Sequence, residues 1–200
     1  MNNCPRLIVF EGPDAAGKST ICTHFTQALQ KQGVAARSLS FPGKVEGTIG
    51  ELVYRIHHAP TAFGVQCLTA SSLQALHIAA HLDAIEVVIR PALELGETIV
   101  LDRYWWSTWV YGIVGGASPE VLDALIEAER IALGKWQPAT LFYVTRQAPL
   151  RDEPLEQWNR LKTAYSQLVN RETGRYPIHT IENEDAAEVV TERALRLSSI

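Results

Sequence analysis

The sequence predicts an α/β fold in which a five-stranded parallel sheet carries helices on both faces. Short apolar runs that suit buried strands alternate along the chain with longer stretches of helical periodicity, as expected of repeated β-α-β units. The first apolar run, at 7–10, leads through a glycine-rich loop into a helical pattern. Two hundred residues suffice for one such domain with a sizeable core, and no linker divides residues 1–200.

The glycine-rich loop has the phosphate-binding pattern G-x-x-x-x-G-K-S-T. Its glycines let backbone N–H groups turn inward around phosphate oxygens. The lysine reaches the β- and γ-phosphates, the serine hydroxyl is placed for Mg²⁺, and the helix N-terminus adds partial positive charge. A buried strand before the motif and a helix after it predict a P-loop NTPase fold that binds ATP. The predicted ATP-binding residues are Gly12, Pro13, Ala15, Ala16, Gly17, Lys18, Ser19 and Thr20, and Ser19 is also a predicted metal ligand.

The other elements follow in order from periodicity and from the residues that end each run. Further strands are predicted at 34–41, 98–101, 139–145 and 177–181. Helices are predicted from residue 19 to about 32, and at 48–57, 65–94, 119–133, 155–169 and 185–197, the third being broken or kinked. Pro42 and Gly43 end the second strand, while Ser118 and Pro119 cap and open the helix that follows them.

Polar residues follow two of these strands where a parallel sheet forms its ligand crevice. Asp102 ends the third strand and is predicted to lie beside Mg²⁺, with Arg103 holding an acceptor phosphate. Lys44, in the loop after the second strand, is either a second phosphate contact or a solvated surface lysine.

Two further segments can each be interpreted as functional or as purely structural. The tryptophans at 105, 106 and 109 either anchor the core or supply an aromatic wall for a base, with Trp105 or Trp106 as that wall. The charged, proline-bounded segment 146–156 is either a surface loop or a short lid whose Arg146 and Arg151 supply charge during phosphoryl transfer.

Composition narrows the class of protein. A net charge of −4 and a pI near 5.9 argue against general binding to nucleic acid or to anionic membranes. No apolar run is long enough to predict a membrane span, and because the first residues lack the charged-then-apolar pattern of a signal peptide, none is predicted. Cys4, Cys22 and Cys67 are too widely spaced for a metal or redox pair, so we expect reduced thiols in a cytoplasmic protein. The adjacent histidines at 57 and 58 lack a further ligand at metal-binding spacing.

Taken together, the phosphate loop and the motifs up to Asp102 resemble those of the thymidylate kinase family of P-loop nucleoside monophosphate kinases. The resemblance rests on segments in matching order: 10–20, 41–44 with 48–50, 89–93, 102–104 with Ser107 and Tyr111, and 158–160 with Tyr165. It implies transfer of the ATP γ-phosphate to the 5′-phosphate of a pyrimidine deoxynucleotide, dTMP giving dTDP, with Mg²⁺. It also implies a small-molecule nucleotide acceptor and a homodimer.

The resemblance also implies roles for residues around the acceptor. Asp14 lies near the acceptor sugar, Asp102 close to the metal and the transferred phosphoryl group, and Arg103 on the acceptor phosphate. Further acceptor contacts are expected from Phe41, Lys44, Phe63, His81, Trp106, Ser107 and Tyr111.

Four departures from the family pattern concern the acceptor and the catalytic arginine. His81 and Lys44 stand where the family has arginines, Gly112 stands where many members have a base-contacting glutamine, and Ala15 leaves the phosphate loop without an arginine. Arg146 or Arg151 would then have to serve. Two alternatives therefore stay open: a kinase of this fold with another acceptor (a modified pyrimidine nucleotide, a nucleoside or 5-hydroxymethyluracil in phage DNA), or an inactive nucleotide-binding module.

Overall fold

A computed structural model describes residues 5–198 and contains the predicted parallel sheet. The strands are β1 Leu7–Glu11, β2 Ala36–Ser40, β3 Thr98–Asp102, β4 Thr140–Thr145 and β5 Ile178–Glu182. All neighbouring strands pair in parallel, in the order β2-β3-β1-β4-β5. β1 is therefore central, and the predicted fold class is confirmed.

Eight α-helices surround the sheet in the described part of the chain. They are α1 Lys18–Lys31, α2 Ile49–His58, α3 Ala70–Ala84, α4 Arg90–Glu94, α5 Trp105–Val114, α6 Pro119–Leu133, α7 Leu155–Glu172 and α8 Ala187–Leu197. A 3₁₀ turn, Pro60–Phe63, lies between α2 and α3. Ser118 caps α6 as predicted, since its side chain accepts a hydrogen bond from the backbone N–H of Val121.

β1 separates two apolar cores because its side chains alternate between the faces of the sheet. Leu7 and Val9 pack into the larger core, which includes α3, α5 and the inner face of α7. Ile8 and Phe10 pack on the opposite face against α1 and α8. Covering both faces explains why β1 is an unbroken apolar run.

The long helical region predicted at 65–94 is broken as expected, although by a mechanism that periodicity did not reveal. α3 passes through a π-helical turn, Ile85–Ile89, into α4. Pro91 follows directly in the first turn of α4. A proline lacks the N–H of a regular helix and its ring crowds the preceding turn, and a widened turn relieves both problems.

The stretch Ala70–Glu94 also satisfies, by length and composition alone, a test for a membrane-spanning helix, contrary to the prediction from apolar runs. Core helices of soluble proteins pass the same test, so this is weak support for a membrane span. One third of its most apolar window is buried, and α3 packs against α2, α5 and α6. We interpret it as a packed helix with an exposed apolar side.

Two of the three cysteines lie in the described residues, and both are free thiols. Cys22 is buried and Cys67 is exposed. Burial raises the pKa of the Cys22 thiol above its usual value. Cys4 lies outside the described residues.

Candidate active site

The phosphate loop joins the end of β1 to the start of α1. A Cβ atom at Gly12 would overlap the carbonyl oxygen of Val144, and one at Gly17 would overlap the carboxamide of Asn183. Gly17 also adopts a left-handed conformation, with φ of 86°. Asn183 donates from Nδ2 to the carbonyl oxygen of Ala16 at 2.7 Å. The loop is thus held by β4 and by the segment after β5.

Lys18 lies at the base of this loop, with only 5% of its surface exposed. Its Nζ donates to the carbonyl oxygen of Pro13 at 2.8 Å. Burial, followed by repulsion from Arg103, lowers the Lys18 pKa to about 8, against opposing attraction from nearby carboxylates. The ammonium group is therefore charged at neutral pH but poorly solvated, which favours pairing with an anionic phosphate.

Asp102 and Ser19 meet beside the loop. Asp102 pairs in register with Phe10 of β1, so its side chain emerges next to the phosphate loop. Ser19 Oγ donates to Asp102 Oδ2. The second carboxylate oxygen, Oδ1, is buried without a hydrogen-bond partner in the described part of the chain, which is unusual for a buried charged group.

Asp14, Arg103 and Tyr111 form a second cluster at the same end of the sheet. Arg103 forms an ion pair with Asp14 and donates to Ser107 Oγ at 2.9 Å. The Tyr111 hydroxyl donates to Asp14 Oδ2 at 2.6 Å. Burial raises the pKa of Asp14, but Arg103, Tyr111, Lys18 and Arg151 outweigh it, so the net pKa is lowered.

Arg103 has an unusual backbone conformation for a residue with a side chain, with φ of 82°. Such conformations cost about 1–3 kcal/mol and collect at functional sites. The backbone N–H of Arg103 donates to the carbonyl oxygen of Phe10 at 2.9 Å. This bond fixes the turn after β3 against the central strand.

Glu11 joins the two clusters, and the sequence analysis assigned it no role. Its side chain is fully buried and accepts five hydrogen bonds, from the backbone N–H groups of Gly12, Tyr104 and Ser107, the Ser107 hydroxyl and the Tyr165 hydroxyl. Burial raises the Glu11 pKa, while Arg103 and Ser107 act to lower it. The signal was present in the sequence, because Glu11 is a charged residue that ends an otherwise apolar strand.

The two predicted lid arginines have different environments. Arg146 donates to the carbonyl oxygens of Asn183 and Ala148 and pairs with Glu184 at 3.3 Å. Arg151 has a side chain that is 68% exposed and pairs only at the surface, with Glu153. Further along the segment, the Leu150 N–H donates to the carbonyl oxygen of Ala15 at 2.9 Å, which ties this segment to the phosphate loop.

The predicted aromatic wall of Trp105 or Trp106 is wrong. Trp105 is 1% exposed and Trp106 is fully buried. The Trp106 indole N–H donates to the Tyr176 hydroxyl at 2.9 Å, while Arg130 lies over the Trp105 ring at 4.7 Å. Both tryptophans anchor the larger core, as the alternative interpretation held.

Direct contact between His81 and an acceptor is also contradicted. His81 is 3% exposed, with Nδ1 2.7 Å from Glu129 Oε2. Its ring stacks on Phe41 at a centroid distance of 4.0 Å. Phe41 is itself 3% exposed, so the Nδ1 atom and the ring face of His81 are both engaged inside the protein.

Lys44 and Phe63 both contact side chains of α2. Lys44 Nζ is 3.9 Å from the centre of the Tyr54 ring, and Arg55 lies 5.1 Å from the centre of the Phe63 ring. Their interactions are therefore with α2, and their predicted acceptor contacts stay predictions. Thr20 is exposed in the first turn of α1.

The chain is similar to thymidylate kinases by three comparisons. A family model described as thymidylate kinase matches residues 10–193. A thymidylate kinase from Pelodictyon phaeoclathratiforme is 37% identical over 123 residues, covering 60% of this chain and 53% of that protein. One from Chlorobaculum parvum is 35% identical over 140 residues, covering 69% and 60%. This chain thus spans 53% and 60% of the lengths of these relatives.

Among solved structures, the thymidylate kinase from Ehrlichia chaffeensis matches with a TM-score of 0.73 and covers 98% of each chain. Its sequence identity is 21%, so this match shows a shared fold.

Proposed function

Because the chain belongs to the thymidylate kinase family, we propose that it transfers the γ-phosphoryl group of ATP to the 5′-phosphate of a pyrimidine deoxynucleoside monophosphate, dTMP giving dTDP. One observation carries the proposal. The phosphate loop and the Asp102–Arg103 turn lie side by side at the carboxyl edge of adjacent strands, joined by the Ser19–Asp102 and Asp14–Arg103 contacts. A donor and an acceptor can therefore meet there.

On the donor side, the loop amides and the Lys18 ammonium group would bind the ATP phosphates. The glycine positions that exclude a side chain support this role. The poorly solvated charge of Lys18 gains a partner when a phosphate arrives. Charge that builds up on the transferred group is then stabilised by groups already in position.

Magnesium fits the Ser19 and Asp102 pair. A hydroxyl and a carboxylate with one unpaired oxygen supply the hard oxygen ligands that Mg²⁺ prefers. No cluster of three or more His, Cys, Asp or Glu side chains suited to a metal occurs in residues 5–198, which agrees with a metal held by few side chains together with phosphates. The bound ion would offset negative charge on the phosphates.

On the acceptor side, Arg103 would hold the 5′-phosphate and Asp14 would lie near the sugar. Arg103 offers a planar set of N–H donors suited to a phosphate. Its ion pair with Asp14 and its bond to Ser107 keep the guanidinium oriented towards the cleft. Tyr111 orients Asp14 in turn.

A homodimer is proposed from exposed apolar side chains on the α3 side of the molecule. Val87 is 68% exposed and Leu95 is 82% exposed, and both belong to the long apolar helical region or follow it directly. Exposed apolar surface of this kind is typical of protein interfaces.

Transfer of label from γ-³²P-ATP tests the proposal. We expect the purified protein with Mg²⁺ and dTMP to form labelled dTDP, and the Lys18→Ala variant to form none. The acceptor panel should include dUMP, dCMP, thymidine and DNA that contains 5-hydroxymethyluracil. Labelling of one of those with none of dTMP would support a different acceptor, and no labelling despite ATP binding would support an inactive nucleotide-binding module.

A further inference from the structure

The surface of α5 next to Tyr111 has no room for a side chain. A Cβ atom at Gly112 would lie 2.6 and 2.9 Å from the two methyl groups of Leu122 and 3.1 Å from Cγ of Gln74. All three distances are shorter than ordinary carbon contacts. A side chain at 112 would therefore require Leu122 or Gln74 to move, and in this chain Gln74 occupies the neighbouring space.

Gln74 is a buried polar side chain that has no hydrogen-bond partner among residues 5–198. It is 4% exposed, and its carboxamide makes no hydrogen bond within residues 5–198. Neither carboxamide atom is among the completely buried unpaired atoms, so both keep a small opening to solvent. Buried amides are almost always hydrogen-bonded, so the unpaired amide of Gln74 indicates a partner from outside the described residues.

Gln74 packs beside Gly112, the residue that follows Tyr111 of the acceptor cluster. His77 lies three residues further on and so shares a face of α3 with Gln74. Burial and then the neighbouring charges of His81, His57 and Arg103 lower the pKa of His77 to about 3. The repulsion by Arg103 indicates that this side of α3 and the acceptor cluster share one electrostatic environment. His77 is a neutral imidazole at pH 7.

We propose that Gln74 is a specificity residue that hydrogen-bonds the base of the acceptor pyrimidine, in the region where Gly112 offers no side chain. The inference rests on the proposed function and deepens it. A carboxamide has a donor and an acceptor side by side, which match the N3–H and an adjacent carbonyl of thymine or uracil. Rotating the amide by half a turn matches the N3 and amino group of cytosine, so Gln74 recognises a pyrimidine edge.

The substitution Gln74→Met tests this role because it keeps a similar length and removes both polar atoms. We expect the dissociation constant for dTMP, measured by calorimetry, to rise about tenfold or more, as for the loss of one or two hydrogen bonds to a buried group. ATP affinity should stay unchanged. The melting temperature without ligand should not fall, because no bond inside the protein is lost. Gln167→Met, at an exposed position on α7, is the matched control and should match wild type.

A dTMP analogue methylated at N3 provides a second measurement. It lacks the N3–H donor, so its affinity should differ little between wild type and Gln74→Met, whereas dTMP itself should separate them. Equal dTMP affinity in the two proteins would overturn the inference, and so would a lower melting temperature with unchanged affinity.

The outcomes also separate this inference from the proposed function. If wild type binds dTMP more tightly than Gln74→Met does but forms no dTDP, the role of Gln74 stands and phosphoryl transfer is overturned. If wild type forms dTDP and the variant binds dTMP equally well, transfer stands and the role of Gln74 is overturned. If wild type binds none of dTMP, dUMP and dCMP, both are overturned.

Discussion

Lys18 is the residue whose chemistry depends most on its surroundings. A lysine in water keeps its proton to beyond pH 10, but burial and Arg103 lower the pKa of Lys18 to about 8. The cation is the form that attracts phosphate. Since kcat/KM reports groups of the free enzyme, the pH dependence of ATP capture should report this lysine.

We expect kcat/KM for ATP to fall about tenfold per pH unit above about pH 8, because neutral Lys18 no longer attracts the phosphates. The kcat at saturating ATP should hold to higher pH, because bound phosphates favour the charged lysine. Steady-state kinetics from pH 6.5 to 9.5 measure both.

Lys18→Arg serves as the control, because arginine keeps its charge throughout this range. That variant should be slower at every pH but should lack the alkaline loss. An alkaline loss of equal size in Lys18→Arg would assign the titration to another group.

The role of a single residue could be predicted where the residues that act together are close in sequence. Gly12, Gly17, Lys18 and Ser19 lie in one short motif, and the structure brings the motif to Asp102. Trp106 and His81 were not predictable, because their partners Tyr176 and Glu129 are 70 and 48 residues away. A buried indole or imidazole and an exposed one have the same sequence signature.

At the level of elements, the two arginines of the segment between β4 and α7 have different expected roles, one in stability and one in catalysis. Arg146 is fixed by backbone carbonyls and by Glu184. Among the described residues, Arg151 pairs with Glu153 alone, at the surface, a kind of interaction worth at most about 1 kcal/mol. It is therefore free to reorient towards bound nucleotides, and its charge already acts on Asp14.

We expect Arg151→Met to lower kcat by about 100- to 1000-fold, since an arginine that stabilises the transferred phosphoryl group has an effect of at least that order. The KM for ATP should change only a few-fold. Arg146→Met is the matched comparison. It should mainly lower the free energy of unfolding, by about 1–2 kcal/mol for the lost hydrogen bonds to backbone carbonyls.

Steady-state kinetics and urea unfolding of both variants measure these effects. The reverse pattern, with kcat lost in Arg146→Met and preserved in Arg151→Met, would exchange the two roles.

Strand and helix identities followed from the sequence because periodicity and end signals agree with each other. Helix α7 extends to Glu172, beyond the predicted end at 169. Its last turn is stabilised by tertiary ion pairs, in which Glu172 is 1% exposed and accepts from Arg130. Such contacts between distant helices leave no trace in local periodicity.

At the scale of the whole molecule, we predict that two copies of the chain associate through the exposed apolar side chains near α3. We expect sedimentation equilibrium at micromolar concentration to give a mass near twice the 22.2 kDa of the chain. Val87→Glu should shift the equilibrium towards monomer, because a charge placed in an apolar interface loses its hydration.

Leu155→Glu is the control, since Leu155 is a similarly exposed apolar residue, 61% accessible, at the start of α7. It should leave the mass unchanged. Dissociation by Leu155→Glu, or a dimer unaffected by Val87→Glu, would place the contact elsewhere.

The five hydrogen bonds to Glu11 have a consequence for how the molecule can move. One carboxylate binds the phosphate loop, the turn after β3 and the Tyr165 hydroxyl of α7 at a single point. On the proposed function, we expect this floor of the site to move little when nucleotides bind, and closure to involve the 146–156 segment and α2. We therefore expect the phosphate loop and the Arg103 turn to be correctly spaced, before binding, for a bisubstrate compound that links the two nucleotides through a phosphate chain of fixed length.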